Sequence, residues 1–268
     1  MSECFGFVFS LLFQIIIPFL LSALVVIIVM YIAETYGSKT GGILGTLPST
    51  IVIAFIFIAY NEGNLFASDA AAVVPAELGI NVLFLFVFAL SVRRSAVLAF
   101  FLSFLLWGIC SSLLVIYNME NIALSVCIYL FSVLIAFIVL EKIKRIPSVG
   151  KVKVPYTFKK IALRGVLAGI VIAVAVFLSN YGSAISGVFS VFPAILFSTM
   201  LISVRDHGPV FASGMAKSML LGLSSVATYA VLVHFTFPIY GFIIGSIIAY
   251  ACSLCVTFSI FGLRKWIT

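Results

Sequence analysis

Residues 36–71 read YGSKTGGILGTLPSTIVIAFIFIAYNEGNLFASDAA, and residues 181–216 read YGSAISGVFSVFPAILFSTMLISVRDHGPVFASGMA. Aligned at an offset of 145 with no gap, they share ten identities over 36 positions. Tyr36-Gly37-Ser38 returns as Tyr181-Gly182-Ser183, Gly42 as Gly187, Pro48 as Pro193 and Gly63 as Gly208. Phe66-Ala67-Ser68 returns as Phe211-Ala212-Ser213, and Ala71 as Ala216. The shared residues are mostly Gly, Pro and Ser, types kept for backbone shape and close packing rather than for bulk. The pattern indicates an internal duplication.

The rest of the chain says where the duplicate sits. Of its 268 residues 64% are hydrophobic and only 9% are charged, with a mean hydropathy of +1.35. A soluble domain carries about 25% charged residues. Too little polar side chain is present to cover a water-facing surface, which excludes a soluble enzyme, a nucleic-acid-binding domain and a disordered chain. Nine apolar stretches follow one another, near 5–33, 41–60, 70–91, 95–117, 120–140, 161–179, 185–204, 210–234 and 237–262. A bilayer core about 30 Å thick takes about 20 residues of helix. Lipid offers no partner to an unpaired amide, so these are read as helices. The alternation of an outer-membrane barrel is absent. The first stretch is read as a span and not a cleavable leader, because Met1-Ser2-Glu3-Cys4 lacks a basic segment and the apolar run is too long.

The expected fold is all-α: a polytopic integral membrane protein of nine transmembrane helices in two four-helix repeats, 1–117 and 161–268. Residues 118–160 supply one extra transmembrane helix and a basic loop. A four-helix unit returns the chain to its starting side, so one added helix inverts the second copy. With nine spans, all fifteen Lys and Arg fall on one side. These are Lys39, Arg93, Arg94, the run from Lys142 to Arg164, Arg205, Arg264 and Lys265, with Lys217 inside a span toward the same side. The opposite side holds Glu3, Glu62, Asp69, Glu77 and Glu120. The positive-inside rule makes the basic side cytoplasmic, with the N-terminus outside and the C-terminus inside, in the plasma membrane. The basic run is read as a topology anchor, with an anionic-lipid patch as the other reading. Cys252 and Cys255 form a C-x-x-C within the last span, where a packing role is expected rather than a redox one.

Each copy carries Gly-x5-Pro-x14-Gly: Gly42, Pro48 and Gly63, then Gly187, Pro193 and Gly208. A proline in a span frees the carbonyl one turn back, and lipid tolerates that only where the break faces protein or a wet cavity. Two symmetric breaks near mid-depth point to a transport site. Ser49 and its small neighbours allow close helix crossing and offer hydroxyls. At the end of the motif helix Asn61 aligns with Asp206 and Glu62 with His207. Loops of this kind suit gates or waiting sites for a cation, and the carboxylate and imidazole leave a metal open. Asp69 and Glu77, eight apart, are expected on one face of span three. Glu77 and Lys217 lie deepest, in equivalent helices, as an ion pair, a proton relay or a substrate counter-ion.

No Walker loop, His-Glu-x-x-His or Gly-x-Ser-x-Gly occurs, and His207 and His234 fall on opposite sides, so no enzyme and no cofactor is expected. The motif from Tyr181 to Phe235, with Gly187, Pro193 and Gly208, resembles the small four-helix GlpM-like bacterial membrane proteins. The resemblance implies a fused, inverted duplicate of that architecture and no substrate. The four-plus-one-plus-four plan is also similar to fused fluoride channels, but their Thr-rich, Phe-containing pore motif is missing. The expected function is transport of a small solute or ion by alternating access between the repeats. The alternatives are a lipid scramblase or lipid-handling protein, and an ion channel. The expected partners are the bilayer and the transported species, with a homodimer left open and no nucleic acid.

Overall fold

The computed structural model describes residues 14–28, 48–146 and 157–267, with side chains as far as Ser259. Gly42 and Lys39 therefore lie outside the described residues, as does the middle of the basic loop. Among the described residues there are helices and no strand. They are α1 (Gln14–Ile28), α2 (Ser49–Glu62), α3 (Asn64–Ser91) and α4 (Ala96–Ile116). Then come α5 (Ile122–Phe137), continued by the wider turn Ile138–Ile143, and α6 (Phe158–Leu178), closed by the tight turn Ser179–Tyr181. After α7 (Ser183–Ser190) the chain runs helical from Ala194 to Ile267.

That last run has 74 residues. As one rod it would reach about 110 Å, far beyond a bilayer core of about 30 Å. It is broken at Gly208 (φ 82, ψ 174) and Gly241 (φ 74, ψ 169), giving α8 (194–207), α9 (209–240) and α10 (242–267). Gly63 joins α2 to α3 in the same way, at φ 94 and ψ 165. Only glycine takes this conformation cheaply, so one residue turns one helix into the next. This corrects the loops expected at 60–64 and 204–209. Asn61, Glu62, Asp206 and His207 are the last helical residues before a glycine break. Span three begins at Asn64, not at residue 70.

α3 is the centre of the molecule. Ala70 to Val82 is buried on every face, packed by α2, α4, α5, α7 and α9. The outer helices do the reverse. α4 presents Val97, Phe101 and Ile109 outward, α5 presents Leu130 and Phe131, and α10 presents Ile243 and Ile247. In water such a surface would cost about 25 cal/mol per Å² of apolar area, whereas against hydrocarbon it costs nothing. Several helices are long and apolar enough to cross a membrane: α3, α4, α5 with its extension, α6, and the stretch Ser183–Ser259. Cys252 and Cys255 are free thiols on this outward surface.

Polar contacts sort the helix ends into two sets. At one end Ser179 donates to Glu62 Oε1 (3.0 Å), Ser183 to Glu120 Oε1 (3.3 Å) and the Ser68 hydroxyl to the His234 carbonyl (2.7 Å). At the other, Lys160 pairs with Asp206, and Lys217 Nζ lies 2.7 Å from Glu141 Oε2.

Candidate functional site

The equivalent helices meet around a cavity of about 150 Å³. Pro48, Thr50 and Ile51 of the α2 start form one wall, Leu78 and Asn81 of α3 another. Ser190 to Phe192, Ala194 to Leu196, Ala168 and Ile172 of α6, and Gly222, Leu223 and Val226 of α9 complete it. Four residues that line it have lining counterparts at the sequence offset of 145: Thr50 and Ile195, Ile51 and Leu196, Leu78 and Leu223, Asn81 and Val226. By size it admits a molecule of about six non-hydrogen atoms, the scale of benzene in an engineered protein cavity of similar volume.

The cavity's polar character comes from a broken helix. α7 ends at Ser190 and α8 starts at Ala194, with Val191 at φ −122 and ψ 25 between them. Pro193 has no amide hydrogen, and the regular ladder lapses there. The Val191 carbonyl, in the gap between the two helices, accepts from Asn81 Nδ2 at 2.7 Å. A bare carbonyl at this depth would be costly, so the pairing lets the interruption persist. Phe192 projects beside it, and its ring meets the Trp107 ring edge-on at 4.8 Å.

One turn from Asn81, Glu77 is fully buried. Its Oε1 accepts from Trp107 Nε1 at 2.5 Å and from Ser111 Oγ at 3.0 Å, both on α4. Its Oε2 and the Oδ1 of Asn81 are buried with no hydrogen-bond partner among the described residues.

The residues singled out from the sequence separate into groups. Pro48 lines the cavity, Pro193 stands in the chain between the lining residues Phe192 and Ala194, and Ser49 begins α2 beside Pro48. Gly187 is where α7 crosses α3, and a Cβ there would overlap the Ala70 carbonyl oxygen. Glu62, Asp206 and His207 lie at helix ends away from the cavity, and His207 packs on Phe211 at 4.5 Å. Asp69 and Glu77 do not share an environment, since Asp69 is exposed and Glu77 is not. Eight residues turn a helix by about 80° more than two full turns, enough to carry one side chain outward. Nor do Glu77 and Lys217 pair. Lys217 reaches the inner end, donating to Glu141 Oε2 and to the Ile146 carbonyl at 2.5 Å, while Glu77 stays with α4. Among the described residues no three His, Cys, Asp or Glu converge as a metal site. Trp107, Ser111 and Asn81 escaped the sequence reading. A polar pair four apart, Glu77 and Asn81, inside an apolar span was the available signal.

The chain matches no known family, no curated protein and no solved structure. What the fold itself defines is a class, an all-helical protein whose long apolar helices suit a membrane.

Proposed function

We propose that this protein is a membrane transporter that carries a small solute or ion through the central cavity by alternating access between two inverted repeats. The observation that carries the reading is the cavity wall built from equivalent residues of both copies, with a broken helix at its edge. In transporters, discontinuous helices at a repeat interface bind substrate, and inversion gives one site two equivalent ways to open. The matching conformations of Gly63 and Gly208 support the same kinship of the halves. So does the GlpM-like pattern of Gly187, Pro193 and Gly208. In this reading there are nine spans and the basic end lies in the cytoplasm, with the N-terminus outside.

The test is flux into liposomes holding the purified protein, for a panel of alkali cations, halides and small organic solutes. A saturable uptake is expected, cut at least tenfold in the P48A/P193A double variant while its elution and helix content match the parent. Absence of uptake across the panel, or uptake indifferent to the double substitution, would overturn the reading. Rapid equilibration of labelled lipid without solute flux would replace it with a scramblase, and single-channel currents would replace it with a channel.

A further inference from the structure

Glu77 is the buried carboxylate among the described residues; Glu62, Asp69, Glu120, Glu141 and Asp206 are all exposed. A carboxylate at this depth is expensive to keep, and such a group marks an ion or proton path more often than a packing element. The way it is held is specific. Trp107 and Ser111 both donate to one oxygen, which fixes the side chain and leaves Oε2 without a donor. Asn81 repeats the arrangement one turn on, where the Val191 carbonyl takes its amide group and Oδ1 is left bare. Residues four apart on a helix stand about 5–6 Å apart at Cβ, on one face. Two buried acceptor oxygens, each on a side chain held by its other polar atom, therefore belong to one face of α3, one turn apart. A neutral donor could satisfy the two acceptors, but only a positive species also balances the charge of a buried carboxylate.

The second copy shows that the fold does not require this pair. The positions equivalent to Glu77 and Asn81 are Gly222 and Val226. They line the same cavity with no polar side chain at all.

We propose that Glu77 Oε2 and Asn81 Oδ1 together bind a monovalent cation, a proton or an alkali-metal ion, beside the cavity. One carboxylate and one amide carry a single formal charge, too little for calcium, which takes six to eight oxygen ligands. The site communicates with the cavity through rings. Phe192 lines the cavity and touches Trp107, and the Trp107 indole holds Glu77. A solute that displaces Phe192 disturbs the donor that fixes the cation's ligand, so occupancy of one site bears on the other. The cation's role as coupling ion rests on the transport reading, but its binding is measured without transport.

The experiment is thermal unfolding of the full-length protein in detergent, with two arms. In the first, sodium, lithium or potassium chloride replaces choline chloride at constant ionic strength and pH. In the second, pH is varied in choline chloride alone. A metal ion raises the midpoint with the logarithm of its concentration in the first arm. A proton appears only in the second. In either case E77Q is expected to lose the response, and N81A to shift its midpoint concentration tenfold or more. An E77Q protein with the same ion and pH response as the parent overturns the proposal. If E77Q does not fold, radioactive sodium binding to the parent reads the metal arm, and the infrared band of a buried carboxyl group reads the proton arm. Absence of both overturns it equally. Ion binding without solute flux would sink the transport reading and leave the cation site standing.

Discussion

α3 starts after Gly63 and α9 after Gly208, and the two glycines hold the same conformation. Thirteen residues into α3 stands Glu77, and at the same depth of α9 stands Gly222. Four residues on, Asn81 has Val226 as its counterpart, and both line the cavity. The charge that α9 does carry, Lys217, aligns with Ala72, and it is drawn off to Glu141 at the helix end. In the proposed duplication the frame occurs twice and the buried polar pair once, at Glu77 and Asn81 and not at Gly222 and Val226.

The contact that both copies should share gives the largest expected effect. Gly187→Leu forces a side chain into the Ala70 carbonyl, and should cost about 3 kcal/mol or more, read as loss of a monodisperse, folded peak. Equivalence requires a comparable loss for Gly42→Leu, and a harmless substitution there would break it. Next, Trp107→Phe removes one of two donors from a buried carboxylate and should lower stability by about 1–3 kcal/mol in thermal melts. Its counterpart Cys252 is exposed, and Cys252→Ala should leave the midpoint where it was. Smaller still, Ser68→Ala gives up the bond to the His234 carbonyl and should cost about 1 kcal/mol. Among the described residues Ser213 bonds to Val210 in its own helix, so Ser213→Ala should cost less than about 0.5 kcal/mol. Least of all, Asp206→Asn breaks an exposed pair with Lys160 and should leave the melting midpoint unchanged at physiological salt.

The frame could be read from the sequence because its signals are local. A glycine with positive φ or a proline without its amide acts where it stands, so Gly63, Gly208 and Pro193 announced their breaks directly. Their consequences were harder to size: a one-residue joint and a five-residue polar loop look alike in composition. The site was read only in part, for a reason particular to membranes. Lipid and protein interior are equally apolar, so hydropathy does not say which face of a span looks inward. Asp69 and Glu77 therefore looked alike until α4 was seen to cover one and leave the other outside. Lys217 is claimed by Glu141, 76 positions away, a choice that no spacing rule contains.

The single-glycine joints at 63 and 208 leave no slack between the helices they connect. A linker of several residues lets two rods slide or splay independently. An elbow of one residue makes them a brace. α2 with α3, and α8 with α9, would then swing as stiff wedges, and the bending has to be taken up elsewhere. The stretch 191–193 between α7 and α8 is where the ladder is already open, so this protein's moving part would be its own interruption rather than its joints.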